Sequence, residues 1–491
     1  MKRSGPSGHF PTHPLGTATR RARRAIAPVI ATAALSLLVP AAAEAELEIF
    51  QGLNSPGLSA GDNKGIAAPP DTTGAIGPDH FVEVVNVRIA VYARSGLESL
   101  AELDANEFWE LPPAAQTVDP QLAWDERSGR WYYVMLLNDA VTEERAILYA
   151  WSKTADPTDL DQGWCKTRFS TGKLFDDYPK LGFSRHHVLI GTNLANLKKR
   201  KVLYSRLWAI AKPPADGDDC TPPEANVLPE RDRPLRDVGG PRSATPVPAV
   251  PVGEKSGFVV AAECLDDGSG EGGEYCGRSA DEITVWRVVG PAGEPRLKGP
   301  RAIHVPRFRA PKPVHQPGAK QTLDALDGRL TQAVSSDDPD RGGSSLVWSQ
   351  HTVARKGGRS AVRWYALDPQ RLRAARRDTI AERKHSIFNG AIAPTLGGTA
   401  IVNYNVGGET LLPQIRAQEA GHPASEITLG KSVAPDRTCD PPDTCSWGDY
   451  AGASTDPRNP DLVWGANQTI GPPSQGAFGI SWRTRIFALR D

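Results

Sequence analysis

The feature that most constrains this chain is a pattern that recurs seven times between Asp71 and the C-terminus. The first copy reads D-T-T-G-A, a turn, then HFVEVVN and RIAVYAR. The second, from Asp119, reads D-P-Q-L-A, WDERSG, RWYYVMLLN and RAILYAWSKT. From Asp177 come D-Y-P-K-L, GFSRH, HVLIGTNL and KVLYSRLWAI, and from Thr245 T-P-V-P-A, VPVGEKSG, FVVAAE and EITVWRVV. Copies beginning at Gln321, Asn389 and Asp449 repeat the order. The starts lie 48, 58, 68, 76, 68 and 60 residues apart. Six copies carry alanine four positions after the start, at Ala75, Ala123, Ala249, Ala325, Ala393 and Ala453. The third has Leu181 there.

Each copy supplies a short strand of small residues, a Gly/Pro/Asp turn, and two alternating strands rich in Val, Ile, Tyr and Trp. Several strands per unit, repeated at this spacing, imply blades around an axis. The alanines then crowd the axis, while the larger side chains of later strands fill the space between blades. Tryptophans such as Trp131, Trp151, Trp286, Trp348 and Trp464 are expected there. The expected fold is all-β, a seven-bladed β-propeller forming one domain over residues 46–491. Helical periodicity is nearly absent, and residues 370–384 are the main candidate helix. The segment ELEIFQGLN, ahead of the first copy, is expected to add an outer strand to the last blade and close the ring. Closure removes the sheet edges that otherwise invite aggregation.

Residues 1–45 stand outside the repeats. Arg20, Arg21, Arg23 and Arg24 precede an apolar run that ends in AEA at Ala43–Ala45, the pattern of a cleaved secretory signal. TRRARR has the arginines of a twin-arginine signal without the apolar pair after them, so the route of export stays open. No later segment is long and apolar enough to span a membrane. The mature chain is expected to be secreted or periplasmic, and monomeric. From residue 46 onward it carries 51 Lys and Arg against 56 Asp and Glu. This mild acidity argues against a nucleic-acid partner, whose phosphates need a basic face. Six cysteines in an exported chain favour disulfides over zinc, since there is no C-x-x-C and no nearby histidine. Proximity pairs Cys264 with Cys276 and Cys439 with Cys445, leaving Cys165 for Cys220, among fifteen possible connectivities.

Four segments, PPDTTGAIGPDHFVEVVN, DPQLAWDERSGRWYY, DDYPKLG and SWGDYAGASTDP, together resemble a family of exported bacterial propellers related to sialidases and often labelled sialidase-like. The resemblance covers essentially the whole mature chain. It implies the propeller architecture and leaves the activity unassigned.

The copy starts should ring one mouth of the axial channel, where propellers bind ligands. Asp71, Asp119, Asp177 and Asp449 are among them. Aspartates before turns cap backbone N–H groups, and that is their first reading here. The second reading is an acidic funnel that binds an extracellular glycan or another cell-envelope ligand, holds a cation, or supplies an acid of raised pKa. Asp177-Tyr178 and Asp449-Tyr450 are the catalytic candidates if the protein is a glycoside hydrolase or polysaccharide lyase, since sialidases use a tyrosine nucleophile. Against a sialidase, no clean S-x-D-x-G-x-x-W box is present and no arginine triad can be picked out. Asp71, Asp119 and the neighbouring Trp447 are candidate ligand contacts, the tryptophan by stacking on a sugar face. A protein-interaction platform is the third reading. Asp266, Asp267, Glu271 and Glu274 concentrate oxygens on one loop that could take calcium, without the EF-hand register. No other cofactor is expected. There is no G-x-S-x-G elbow for a serine hydrolase. The pair His186–His187 falls at a turn and is read as solvated.

Overall fold

A computed structural model describes residues 46–62, 68–139, 141–199, 201–214, 218–229, 235, 245–253, 255–263, 265, 277–472 and 481–491. The signal segment 1–45, the acidic loop with Asp266, Asp267, Glu271 and Glu274, and the pair Cys264 and Cys276 lie outside the described residues.

Seven sheets follow one another along the chain, antiparallel throughout except that Val250–Pro251 adds a short parallel strand to the inner edge of the fifth. Blade 1 comprises Thr73–Ile76, His80–Val85, Arg88–Ala93 and Ser99–Asp104. Blade 2 comprises Thr117–Asp125, Arg130–Asn138, Arg145–Ser152 and Trp164–Ser170, and blade 3 Phe175–Phe183, His187–Asn196, Lys201–Ala211 and Ala225–Leu228. Blade 4 is Val247–Pro248, Phe258–Ala262, Ala280–Val289 and Arg296–Phe308, and blade 5 Gln332–Asp337, Ser345–Ala354, Ser360–Asp368 and Arg373–Ile380. Blade 6 is Ser386–Pro394, Ala400–Gly408, Leu411–Glu419 and His422–Lys431. Blade 7 takes Gly452–Thr455, Leu462–Ile470 and Trp482–Arg490 from the C-terminus and Glu48–Ser59 from the N-terminal side as its outermost strand. The ring therefore closes as the segment ELEIFQGLN suggests, with Glu48 opposite Arg490 and Ile49 opposite Leu489.

The apolar faces of neighbouring blades pack against each other, and Trp131, Trp151, Trp286, Trp348 and Trp464 are all fully buried between them. Where inner strands meet, side chains must be small. A Cβ on Gly452 would come within 2.7 Å of the Gly74 backbone nitrogen, so blades 7 and 1 touch backbone to backbone. Cys165–Cys220 and Cys439–Cys445 are disulfide-bonded, as proximity suggests.

Four expectations need correction. Residues 373–380 form the outer strand of blade 5, not a helix. An outer strand faces solvent on much of its surface, so its Ala- and Arg-rich composition lost the apolar alternation that marks a strand. The fifth blade does not begin at Gln321. Thr322–Leu323 instead forms a two-stranded parallel ladder with Thr444–Cys445, ahead of blade 7. The axial alanine of blade 5 is consequently Ala333, while Ala325 packs beside Trp447 and Cys445. Trp447 itself is buried, with its indole N–H donated to Asn405 Oδ1 at 3.0 Å, so it offers no stacking face to a ligand. His187 is buried rather than solvated, its ring bonded to Ser184 Oγ at 2.9 Å and the Ala292 carbonyl at 3.0 Å, while His186 is exposed.

Candidate functional site

The entries to the inner strands share a backbone device. Asp71, Asp119, Tyr178, Thr245 and Asn389 all have φ between 48° and 60°, in the left-handed region. In blades 2, 3 and 6 the residue sits at a register irregularity of the inner strand, between Val118 and Gln121, Asp177 and Lys180, and Phe388 and Ala391. A bulge of this kind takes one residue out of the ladder and re-aims its N–H. Side chains of neighbouring blades accept N–H groups at four of the blade entries. Asp71 accepts the Asp449 N–H at 2.7 Å, Asp119 the Tyr178 N–H at 3.2 Å, Asn86 the Asp119 N–H at 2.7 Å and Asn193 the Thr245 N–H at 2.8 Å. The Asn86 amide also donates to Asp71 at 2.6 Å. The aspartates do cap backbone groups, but the groups belong to the next blade. They latch the ring.

Two tyrosines and two cations complete the mouth. The rings of Tyr178 and Tyr450 meet edge to face at 5.3 Å, and the Tyr178 hydroxyl donates to the Asp449 carbonyl at 3.0 Å. Lys180 Nζ lies 3.3 Å from the Tyr450 ring centre and 4.1 Å from that of Tyr178. The Arg329 guanidinium lies 4.4 Å from the same Tyr178 ring and pairs with Asp327 at 2.6 Å. Asp71, Asp119, Tyr178, Lys180 and Tyr450 are buried and make the floor. Asp177, Asp324, Asp327, Arg329 and Asp449 are half-buried and make the rim. All four predicted ring aspartates and both predicted tyrosines are thus brought together. Lys180 and Arg329 escaped the sequence reading.

Burial raises Asp119 to about 8 and Asp71 and Asp449 to about 7, reinforced by mutual repulsion, from Asp177 on Asp119, Asp449 on Asp71 and Asp119 on Asp449. Burial also pushes Lys180 well below the usual lysine range, against the pull of Asp449 and Asp119. Burial and the carboxylates hold the Tyr178 and Tyr450 hydroxyls well above theirs. Burial pushes Asp327 up as well, but the Arg329 guanidinium and backbone N–H donors together outweigh it, and its pKa falls. Lys180 Nζ makes no hydrogen bond among the described residues, and the Tyr450 hydroxyl makes none of good geometry, although it is near enough to Asp119 to lower that carboxyl. The site therefore gathers carboxyls that hold their protons to near neutral pH, beside a Lys180 amine with hydrogen-bonding capacity to spare. No group of three or more metal-ligating side chains with suitable geometry occurs among the described residues.

Beyond the floor, the axis widens into a cup of about 200 Å³ lined by Ala75, Ala123, Leu181, Ala333 and Ala453, with Tyr450 also on its wall. Gln332 crosses from blade 5, donating to the Ala453 carbonyl of blade 7 and accepting the Ile392 N–H of blade 6 at 3.1 Å.

No family model matches the sequence. No curated protein matches it either. Solved structures of similar shape are distant. The extracellular domains of Drosophila Semaphorin 1b show 9% identity and a TM-score of 0.40, over 90% of this chain and 87% of that one. The α-L-arabinofuranosidase Arb93A of Fusarium graminearum shows 11% identity and a TM-score of 0.36, over 76% and 93%. An ulvan lyase, a polysaccharide lyase, shows 10% identity and a TM-score of 0.35, over 72% and 76%.

Proposed function

We propose that this protein is an exported propeller that binds an extracellular glycan at the acidic axial mouth, and that the glycan is neutral or amine-bearing. The carrying observation is the balance of charge around the axis. Asp71, Asp119, Asp177, Asp324 and Asp449 gather at the mouth with the buried Lys180 amine, while the Arg329 guanidinium on the rim is already engaged by Asp327. Protonated carboxyls and carboxylates side by side supply both donors and acceptors for sugar hydroxyls. Whichever of these carboxyls is ionised repels a carboxylated sugar and attracts an amino sugar, which weighs against sialosides and uronates as ligands. The two disulfides fit an oxidising compartment outside the cytoplasm.

Catalysis is the second reading. Asp119, Asp71 and Asp449, raised to between about 7 and 8, stand beside two tyrosines, and a carboxyl that keeps its proton at neutral pH can act as a general acid. The platform reading has less behind it. The five large apolar side chains that are exposed among the described residues, Leu100, Val141, Leu197, Leu396 and Val433, come from separate segments.

The test is titration of residues 46–491 with neutral, amino-sugar and uronate oligosaccharides, beside Asp177→Asn and Asp449→Asn. Binding of the first two classes, weakened about tenfold or more in either variant, is expected, as for loss of a hydrogen bond to a charged group. Preference for uronates, or binding untouched by both variants, would sink the reading. Release of sugar in the same mixtures, lost in a variant that remains folded, would establish the enzyme.

A further inference from the structure

The overall charge conceals a strong asymmetry. Residues 296–384 hold 19 Lys and Arg against 8 Asp and Glu, while the rest of the chain from residue 46 holds 32 against 48. This segment contains the outermost strands of blades 4 and 5, Arg296–Phe308 and Arg373–Ile380. The two strands lie side by side. Ile303, Val305 and Phe308 of the first share one apolar cluster with Leu372 and Ala374 beside and within the second. Arg363 of blade 5 also donates to the Pro306 and Arg307 carbonyls at 2.7 and 3.2 Å.

With their apolar side chains turned inward, these strands present cations outward. Arg296, Lys298, Arg301 and Arg307 are exposed on one, and Arg373 and Arg377 on the other. Ion pairs with Glu294, Asp281 and Asp368 engage Arg296, Arg307 and, at 4.0 Å, Arg373. Lys298, Arg301 and Arg377 make no ion pair among the described residues. Charge on an outer strand protects a sheet edge from pairing, but that need is met by either sign. The outer strand of blade 1, SLAELD, is acidic, and that of blade 3, ANVL, carries no charge at all. Edge protection therefore does not account for a one-sign concentration on two adjacent blades.

We infer that the outer edge of blades 4 and 5 is a docking track for an anionic polysaccharide, separate from the axial mouth. A 13-residue strand extends roughly 40 Å at about 3.3 Å per residue, so its cations suit an extended polymer rather than a compact anion. Arginine dominates, and its planar fork pairs with sulfate and carboxylate oxygens two at a time. Single-stranded nucleic acid would find no largely exposed aromatic side chain among the described residues on which to stack its bases. Duplex DNA would find no protruding helix among the described residues of this edge to enter its major groove.

The experiment uses residues 46–491, with heparin as the polyanion, neutral dextran as control and duplex DNA as competitor. The variant Lys298→Glu/Arg301→Glu/Arg377→Glu changes exposed side chains that hold no ion pair, and its melting temperature checks that it stays folded. Heparin is expected to bind in low salt and dextran not to. Binding should weaken as salt rises, with a slope that drops by roughly one per contact removed in the variant. The variant should keep its response to the axial ligands. No heparin binding in low salt overturns the proposal, as does a folded variant that binds like wild type. Duplex DNA displacing heparin at equal charge concentration would overturn it in favour of a nucleic-acid surface.

Discussion

At the residue scale, the small side chains at the axis do two different things. Ala393 is fully buried and packs with Ala451, Ala453 and Val463 in the seam between blades 6 and 7. Ala123 is also buried, packed in the cluster of Tyr132 and Leu181, but it borders the cup of about 200 Å³, which gives added methylenes some room. The alanine pattern read from the sequence suggests one penalty for both, and the structure separates them. Ala393→Leu should cost about 1–3 kcal/mol by overpacking. Ala123→Leu should cost clearly less in the same urea titration. Equal losses would mean that the cup is not open in solution. The two residues missed at the site were partly visible. Lys180 interrupts an inner strand at a position flanked by buried residues, in DDYPKLG, where a lone charge has no solvent to meet. That signal was available. Arg329 carried none, because its place at the rim depends on the 311–330 segment, which stands outside the repeat. Trp447 misled for the opposite reason, since a tryptophan beside a ring aspartate reads the same whether its partner is a sugar or Asn405.

At the scale of elements, the repeat was legible wherever a left-handed entry residue coincides with a residue that tolerates that backbone. Asp and Asn do so better than most, and Asp71, Asp119 and Asn389 are such residues. The fifth start failed because the Thr322–Leu323 ladder carries the same small-residue, aspartate-rich composition without being a blade. The closing strand was readable from its position but not from its anchoring. Glu83 on the second strand of blade 1 reaches across the seam, accepting the Leu58 N–H at 3.1 Å, the Tyr92 hydroxyl at 3.2 Å and the Thr72 hydroxyl at 3.1 Å. Leu58 belongs to the N-terminal strand of blade 7, so this carboxyl ties the closing strand to blade 1. In Glu83→Met the buried Leu58 N–H loses its acceptor, a loss of about 1–3 kcal/mol for each group left unsatisfied. The variant should unfold at lower urea, and its Leu58 amide should exchange faster than amides of blades 3 and 4. Uniform acceleration in all blades would show that the seam does not open by itself.

On the scale of the whole molecule, the ring is held at its centre by groups whose protonation differs between the folded and unfolded chain. Unfolded aspartates release their protons near pH 4, whereas Asp71, Asp449 and Asp119 hold theirs up to about 7, 7 and 8 in the fold. Between these limits the folded chain binds more protons than the unfolded one, so its stability must fall as pH rises. The contribution is complete below pH 4 and gone above about 8. Lys180 acts in the opposite sense, because its pKa is depressed in the fold, but it is one group against three. Because Asp71, Asp119 and Asn86 latch blades 1, 2, 3 and 7 to one another, the loss falls on the closure of the ring rather than on a single blade. The melting temperature should therefore drop by a few degrees between pH 5 and pH 8.5. Asp119→Asn keeps an acceptor for the Tyr178 N–H and cannot ionise, so its melting curve should depend less on pH over the same range. A wild-type melting temperature that is flat or rising across this window would mean that these carboxyls are ionised in the fold, with Lys180 as their counter-ion. The mouth would then be a fixed anionic site with no proton to donate, which would remove the physical basis for acid catalysis there while leaving cationic sugars as its ligands.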